Sequence, residues 1–509
     1  MATIKRQKTR AIREFGDFQT PLDLALAVMK VLRKIGVQPT AILEPTCGRG
    51  AFVSASACEY SGVPLILGVD INPNHLTLAR ETVLPHHSNV TLLQGDFFSL
   101  DWPAILARSD GPWLILGNPP WVTSSELGAI ASHNLPVKSN FHGRVGIEAI
   151  TGKSNFDISE WMILRYLEWL QDHRGYIAVL CKTAVARKIL QHAWKARKNA
   201  IHTARIFKFD ALSTFGAAVD ACLFVLELRP NATGFSCDVF ESFGASAPAY
   251  TMGFIEGHIV NNVAVFKQQQ ALYGPEDRYT WRSGVKHDCS KIMELASTGA
   301  GYKNGFGEDI ELEESYLFPL LKSSDIGNGR LHCRNSMLVT QRAIGDDTSG
   351  IQSNAPQTWN YLQKHIASFE KRSSSIYRNK PPFSIFGVGQ YTFSPWKVAI
   401  SGFYKRLNFV KVGPVNGKPV VFDDTVYFLP CWSEEEADFL QRLLQSNTAT
   451  AFFEAMIHWD EKRPITVEIL KRLSLRKLAA TAGCEAEYLR FSDRRELPLF
   501  TGVEAVKIA

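Results

Sequence analysis

Short apolar runs recur along the first half of the chain: AILEP (41–45), PLILGVDI (64–71), VTLLQGDF (90–97), WLILGNPP (113–120), GYIAVLC (175–181), ARIFKF (204–209) and ACLFVLEL (221–228). Helix-length amphipathic stretches separate most of them. Runs that are apolar at nearly every position, rather than at alternate ones, predict parallel strands buried on both faces, with helices as the crossovers. Only DALSTFGAAVD joins the last two runs. That is short for a helical crossover, so the pattern predicts an antiparallel final hairpin. Residues 12–36 read as a loop followed by a helix that starts near Pro21 and stops at Gly36.

After Pro230 the rhythm changes to aromatic, Gly- and Pro-punctuated segments, with helical stretches near 355–372, 433–457 and 466–480. The change predicts two domains, an α/β Rossmann-like domain over 1–235 and a mixed α+β domain over 236–509. No repeat or low-complexity tract interrupts either one.

Composition narrows the class. The 509 residues are 45% hydrophobic, enough for several ordinary cores. The N-terminal MATIKRQKTRAIREFGDF has no apolar targeting segment, and no later stretch is long and apolar enough to span a bilayer, so a cytoplasmic protein is expected. Nine cysteines, with no C-x-x-C pair, read as reduced thiols rather than metal ligands. The net charge of +6 is modest, yet residues 361–411 hold nine bases against the single acid Glu370. A patch of that kind attracts polyanions.

The strand ends carry candidate chemistry. LEPTCGRGAFV (43–53) puts Glu44 at the end of the first strand and then Gly48 and Gly50 in a turn before a helix, where glycines let the backbone come close to a ligand. Taken alone, G-x-G is only a tight turn. Val53 stands where a dinucleotide fingerprint needs its third glycine. The second strand ends at Asp70, 20 residues after Gly50, at the spacing that suits a ribose diol. The third ends at Asp96, which can accept from an adenine amino group, beside Phe97 and Phe98, which can flank the ring. Three acids at three successive strand ends fit a nucleoside bearing a positive sulfonium better than a pyrophosphate. The expected cofactor is S-adenosyl-L-methionine. GIEAITGKS (146–154) has five residues between its glycines where a phosphate-binding loop needs four, and is set aside.

The fourth strand ends NPPW (118–121). Pro119 and Pro120 hold their predecessors away from helical angles and aim carbonyls outward, while Asn118 adds a side-chain carbonyl. Two acceptors held together can take both hydrogens of an aromatic amino group. That favours rehybridisation at a nitrogen whose lone pair is otherwise delocalised. Trp121 offers a flat ring for stacking.

In this combination the chain resembles the gamma-class, Taq-type DNA adenine-N6 methyltransferases: DFQTP (17–21), EPTCGRG, GVD, GDFF and NPPW occur in that family's order, across roughly residues 15–230. The resemblance implies a seven-stranded methyltransferase sheet with an antiparallel final hairpin, followed by a DNA target-recognition domain. It implies that Thr20 and Glu44 approach the methionine end of the cofactor, Asp70 the ribose and Asp96 the adenine. Asn118 and Pro119 would accept from the target amino group, with Trp121 and Phe215 stacking on the base. Trp121 departs from the more usual Tyr or Phe and removes any hydroxyl.

Such an enzyme acts on double-stranded DNA and flips its target base out of the stack. Bases interleaved with aromatics over 370–409 suit that partner, and Lys371, Arg372, Arg378, Lys397, Lys405 and Arg406 are the candidate phosphate and base contacts. Cytosine-N4 methylation fits the same geometry and stays open, as does a methylase subunit active only in a larger assembly. A cognate restriction endonuclease or defence-system subunits are the expected protein partners. FDDTVYF (422–428) and HWDEKRPIT (458–466) are polar knots to which the sequence assigns no role, a turn network being one option for each.

Overall fold

A computed structural model describes residues 19–122, 157–196, 200–276, 278–298 and 301–493. They fall into two compact units, Met1–Ala264 and Val265–Ala509.

In the first unit, α1 (Leu22–Lys34) follows Pro21 and buries Ala25, Val28, Met29 and Leu32, one stripe at helical spacing. Asp23 in its first turn and Arg33 and Lys34 in its last complement the helix dipole. Each apolar run is a strand: β1 (Ala41–Glu44), β2 (Leu65–Asp70), β3 (Val90–Gln94), β4 (Trp113–Gly117), β5 (Gly175–Lys182), β6 (Ile201–Phe209) and β7 (Ala221–Leu228). The crossovers include α2 (Ala51–Glu59), α3 (Pro73–Val83), α4 (Trp102–Leu106), α5 (Ile158–Leu170) and α6 (Thr183–Lys195). Alternate residues of β1 enter different cores, Ala41 and Leu43 on one face and Ile42 on the other. Helices α5 and α6 cover the first face, and α1, α2 and α3 the second. Each fully buried Leu or Ile contributes roughly 1.5–3 kcal/mol.

The strand order is β3-β2-β1-β4-β5-β7-β6, extended by β8 (Ser236–Phe240), β9 (Tyr250–Ile255) and β10 (His258–Val260). Strands β1 to β5 run parallel. β7 lies antiparallel to both β5 and β6, as the short DALSTFGAAVD connection predicts. That connection holds α7 (Ala211–Phe215), capped by Asp210 and stopped by Gly216 at φ +67°.

Two sequence expectations are corrected here. Among the described residues the sheet has ten strands, not seven, and the first unit runs to Ala264 rather than to 235. The cause is the free edge of β6, on which β8 pairs in parallel, followed by β9 and β10 as an antiparallel meander. An unpaired edge of that length would otherwise expose its ladder groups.

The second unit is mixed α+β. Its strands are β11 (Arg282–Ser283), β12 (Glu294–Thr298), β13 (Gly301–Lys303), β14 (Asp309–Ile310), β15 (Leu317–Leu321), β16 (Asn335–Leu338), β17 (Trp396–Ser401), β18 (Val410–Val412), β19 (Val421–Phe422) and β20 (Val426–Cys431). One sheet is ordered β11-β20-β17-β18 and the other β14-β13-β12-β16-β15-β19. Its helices include α8 (Pro356–Lys364), α9 (Glu434–Leu444), α10 (Asn447–Met456) and α11 (Leu475–Thr481), in the predicted stretches. FDDTVYF turns between β19 and β20, with Thr425 Oγ1 donating to Asp423 at 2.9 Å. HWDEKRPIT turns after α10, where Glu461 N–H donates to His458 O at 3.2 Å. Among the described residues no helix is long and apolar enough to cross a membrane, and no His/Cys/Asp/Glu cluster is placed to hold a metal.

Candidate functional site

A cleft of about 440 Å³ opens at the C-terminal ends of β1 to β4, where the strand order reverses and open α/β sheets receive ligands. Thr20, Glu44, Gly48, Asp70, Asp96, Phe97, Asn118 and Pro120, scattered over 100 positions of sequence, all line it. Its size lies in the range of small-molecule sites, about 300–1,000 Å³.

Glu44 is buried at the end of β1, and its Oε2 accepts from Val53 N–H at 3.1 Å. It thereby caps the first turn of α2, whose preceding residue, Gly50, carries no side-chain cap. Burial raises the carboxyl's pKa well above the usual range; the Val53 hydrogen bond works against that and the negative Asp70 adds to it. The neighbouring Cys47 thiol is likewise pushed up by burial and by both carboxylates, so it is held as an unreactive thiol.

Asp70 is fixed by two backbone donors, Gly48 N–H to Oδ2 and Asn72 N–H to Oδ1, both at 2.8 Å. His75 Nδ1 stands 3.7 Å from Oδ1. Each carboxylate oxygen can accept about two bonds, so the group keeps capacity for a ligand diol. Asp96 accepts from Phe98 N–H at 3.0 Å. Phe97 lines the cleft while packing against Trp102, Trp161, Tyr166 and Trp169, with ring centroids 5.2–6.0 Å away.

The two glycines of the turn divide. Gly48 has φ +52°, and a Cβ there would lie 2.8 Å from Gln19 Oε1, which itself accepts from Arg49 N–H at 3.1 Å. Gln19 of the DFQTP segment is thus seated on the turn; Asp17 and Phe18 of that segment lie outside the described residues, as does GIEAITGKS. Gly50 is the corrected residue. It does not line the cleft: at φ +82° it caps α2, and a Cβ would meet Ala79 Cβ of α3 at 3.1 Å, so its role is helix packing.

At the end of β4, Asn118 Nδ2 donates to Thr20 Oγ1 at 3.3 Å, tying NPPW to the N-terminal segment. Pro119 is buried between the two lining residues, Asn118 and Pro120. Trp121 is only 8% exposed. Its Nε1–H donates to Leu180 O at 3.1 Å, and its ring meets Phe215 edge-on at 5.5 Å. The two aromatics are therefore brought together, with Trp121 anchored in the core and Phe215 partly buried beside it.

Sequence reasoning missed five residues here: Gln19, Asn72, His75, Asp157 and Lys182. Asn72 had a local signal, since an Asn followed by Pro73 is a helix start, and it caps α3 through Asn74 N–H. Lys182 had none. Its Nζ donates to Asp157 at 2.7 Å and to Trp121 O at 3.2 Å, partners far away in sequence.

The basic candidates of the second unit separate by exposure. Lys371, Arg378, Lys405 and Arg406 are exposed. Arg406 donates to Gly327 O. Arg372 and Lys397 are corrected. Arg372 donates to Ser384 O (2.6 Å), Phe369 O (3.1 Å) and His287 O (3.3 Å), and stacks on Tyr377 at 3.6 Å. It ties loops together. Lys397 is 1% exposed inside β17, with Nζ donating to Ser394 O at 2.6 Å, and burial lowers its pKa to about 7. β17 is buried at every position from Lys397 to Ser401, so this lysine is enclosed together with its neighbours, which a count of bases does not reveal.

No family model matches the chain. It is 44% identical over 468 residues to the Type II methyltransferase M.NspV of Nostoc sp., covering 92% of this chain and 97% of that protein. It is 35% identical over 119 residues to the Type II methyltransferase M.CvrRI of Paramecium bursaria Chlorella virus XZ-6E, covering 23% of this chain and 28% of that one. Among solved structures, the Type IIL restriction-modification enzyme MmeI in complex with DNA shares the fold, with a TM-score of 0.54 at 13% identity over 98% of this chain and 71% of that chain. The nearly full-length match to M.NspV, joined to the cleft at the strand ends, shows that the chain belongs to the Type II methyltransferase family.

Proposed function

We propose that the chain methylates adenine N6 in duplex DNA with S-adenosyl-L-methionine, as the modification component of a restriction-modification or phage-defence system. The observation that carries this reading is the continuity of an acid-lined cleft with NPPW, through the Asn118–Thr20 hydrogen bond. The donor set fits the cofactor. Glu44 and Asp70 offer negative charge to a sulfonium and an α-ammonium, Asp70 offers acceptors to a ribose diol, and Asp96 with Phe97 suits adenine. When bound, the cofactor supplies an electrophilic methyl group on a sulfonium.

The protein's own work is positional. A base inside a duplex is out of reach, so the target is flipped out, at a cost of a few kcal/mol. Asn118 Oδ1 and the Pro119 carbonyl accept the two amino hydrogens, which localises the nitrogen lone pair and leaves it aimed for in-line attack. Trp121 and Phe215 form the aromatic wall against the ring. The DNA is gripped by exposed bases of the second unit, among them Lys371, Arg378 and Lys405. The Type II methyltransferase name of M.NspV, and MmeI, a restriction-modification enzyme seen in complex with DNA, support the choice of substrate.

The test is incubation with methyl-labelled cofactor and unmethylated plasmid DNA, followed by nucleoside analysis. Label in N6-methyladenine is the expected result; label in N4-methylcytosine, RNA or protein overturns the adenine assignment. Asn118→Ala should lower turnover by about 100-fold or more, since an oriented hydrogen bond made at the reacting centre is worth roughly that much. Cofactor affinity should be spared.

A further inference from the structure

NPPW poses a physical difficulty. Two prolines provide no N–H, so the segment cannot be fixed by a ladder of strand hydrogen bonds, yet amino-group capture needs its carbonyls held to a fraction of an ångström. Among the described residues, a charged group holds it. Lys182, the last residue of β5, donates from Nζ to the Trp121 carbonyl at 3.2 Å and to Asp157 Oδ2 at 2.7 Å. Asp157 is in turn fixed: its Oδ1 accepts from Ser159 N–H at 3.1 Å and from Ser159 Oγ–H at 2.5 Å, which makes it the N-cap of α5. Next to it, Ile158 N–H donates to Val122 O at 2.9 Å. Ile158 and Met162 of α5 also line the cleft.

The arrangement is a buried-side ion pair, with side-chain exposures of 26% for Lys182 and 7% for Asp157. In such a setting a charge is costly unless it is paired and hydrogen-bonded, and here every ionic partner is supplied. The Trp121 indole adds a second tie to the same strand through Leu180 O. Together these bonds attach the distal side of NPPW to β5 and α5, while Asn118 attaches its near side to Thr20.

We infer that Lys182 and Asp157 are positioning residues for methyl transfer: the pair fixes the Trp121 carbonyl, and through it the orientation of Pro119 and Asn118. Neither touches the reacting atoms. The inference rests on the assignment of NPPW as the amino-group clamp.

The test measures turnover, the KM for DNA, cofactor affinity by calorimetry and thermal unfolding on the full chain. Lys182→Met is expected to cut kcat by about 100-fold, the usual cost of a misplacement near 1 Å, with cofactor affinity close to wild type. Lys182→Arg, which can still donate to both oxygens, should recover a large part of that loss. Asp157→Asn keeps an acceptor for Ser159 but removes the ion pair, and should lower kcat in the same way without further loss in the double variant. Wild-type kcat in Lys182→Met, or a loss that merely follows the fall in folded protein and is not rescued by Arg, overturns the inference. Label appearing outside DNA in the wild-type chain would instead overturn the functional reading beneath it.

Discussion

At the scale of single residues, Glu44 does two incompatible things. It caps α2 through Val53 N–H, which any acceptor could do, and it holds a carboxyl in a site that penalises ionisation. On the proposed function, the positive charge of S-adenosyl-L-methionine would remove that conflict. Cofactor binding should therefore expel a proton, and wild-type affinity should weaken as pH falls through the raised Glu44 pKa. The unbound protein has the opposite slope. The unfolded chain loses this proton in the ordinary carboxylate range while the folded chain keeps it to higher pH, so stability from this group is present at low pH and declines as pH rises between those values. Glu44→Gln retains the cap and cannot ionise. It should leave stability equal or higher above neutral pH, flatten the pH dependence and weaken cofactor binding by roughly tenfold, the worth of one charge-assisted interaction of about 1.4 kcal/mol. Calorimetric titration and thermal unfolding at two pH values check both halves. An affinity unchanged by the substitution would remove Glu44 from the binding set.

At the scale of elements, each predicted strand is present because short, near-continuous apolar runs bounded by turn residues suit a sheet covered on both faces. The strand-end acids were legible for the same reason: once a run is a strand, the residue that stops it faces the crevice. What could not be read was anything set by partners remote in sequence. β8–β10 join the sheet only because β6 leaves an edge, and the Lys182–Asp157 tie depends on where α5 begins. Gly50 shows the limit within one motif, since its neighbour Gly48 contacts Gln19 and the cleft while Gly50 itself packs on α3. Gly50→Ala should thus cost about 1–2 kcal/mol, the penalty of a left-handed Cβ, with some added crowding against Ala79 at 3.1 Å. Chemical denaturation should show that loss, while cofactor affinity of the folded protein stays near wild type.

At the scale of the whole molecule, charge count and charge use differ. The basic excess over 361–411 pointed to a DNA-binding surface, yet two of its bases are consumed by the fold: Lys397 within β17 and Arg372 between loops. The difference arises because long basic side chains can bury their stems and spend their donors on backbone carbonyls. Arg372 and Arg378, six residues apart, make the distinction measurable. Arg372→Ala removes three bonds to carbonyls and a stack on Tyr377, and should destabilise the protein by about 3 kcal/mol. Arg378 is exposed, and its replacement by Ala should leave thermal unfolding unchanged while weakening duplex binding and lowering the slope of log K against log salt by about 1, as loss of one phosphate contact requires. Binding isotherms at several salt concentrations, with unfolding curves for both variants, separate the two. An Arg378→Ala variant with the wild-type salt slope would move the DNA surface away from the 371–380 segment, toward the exposed pair Lys405 and Arg406.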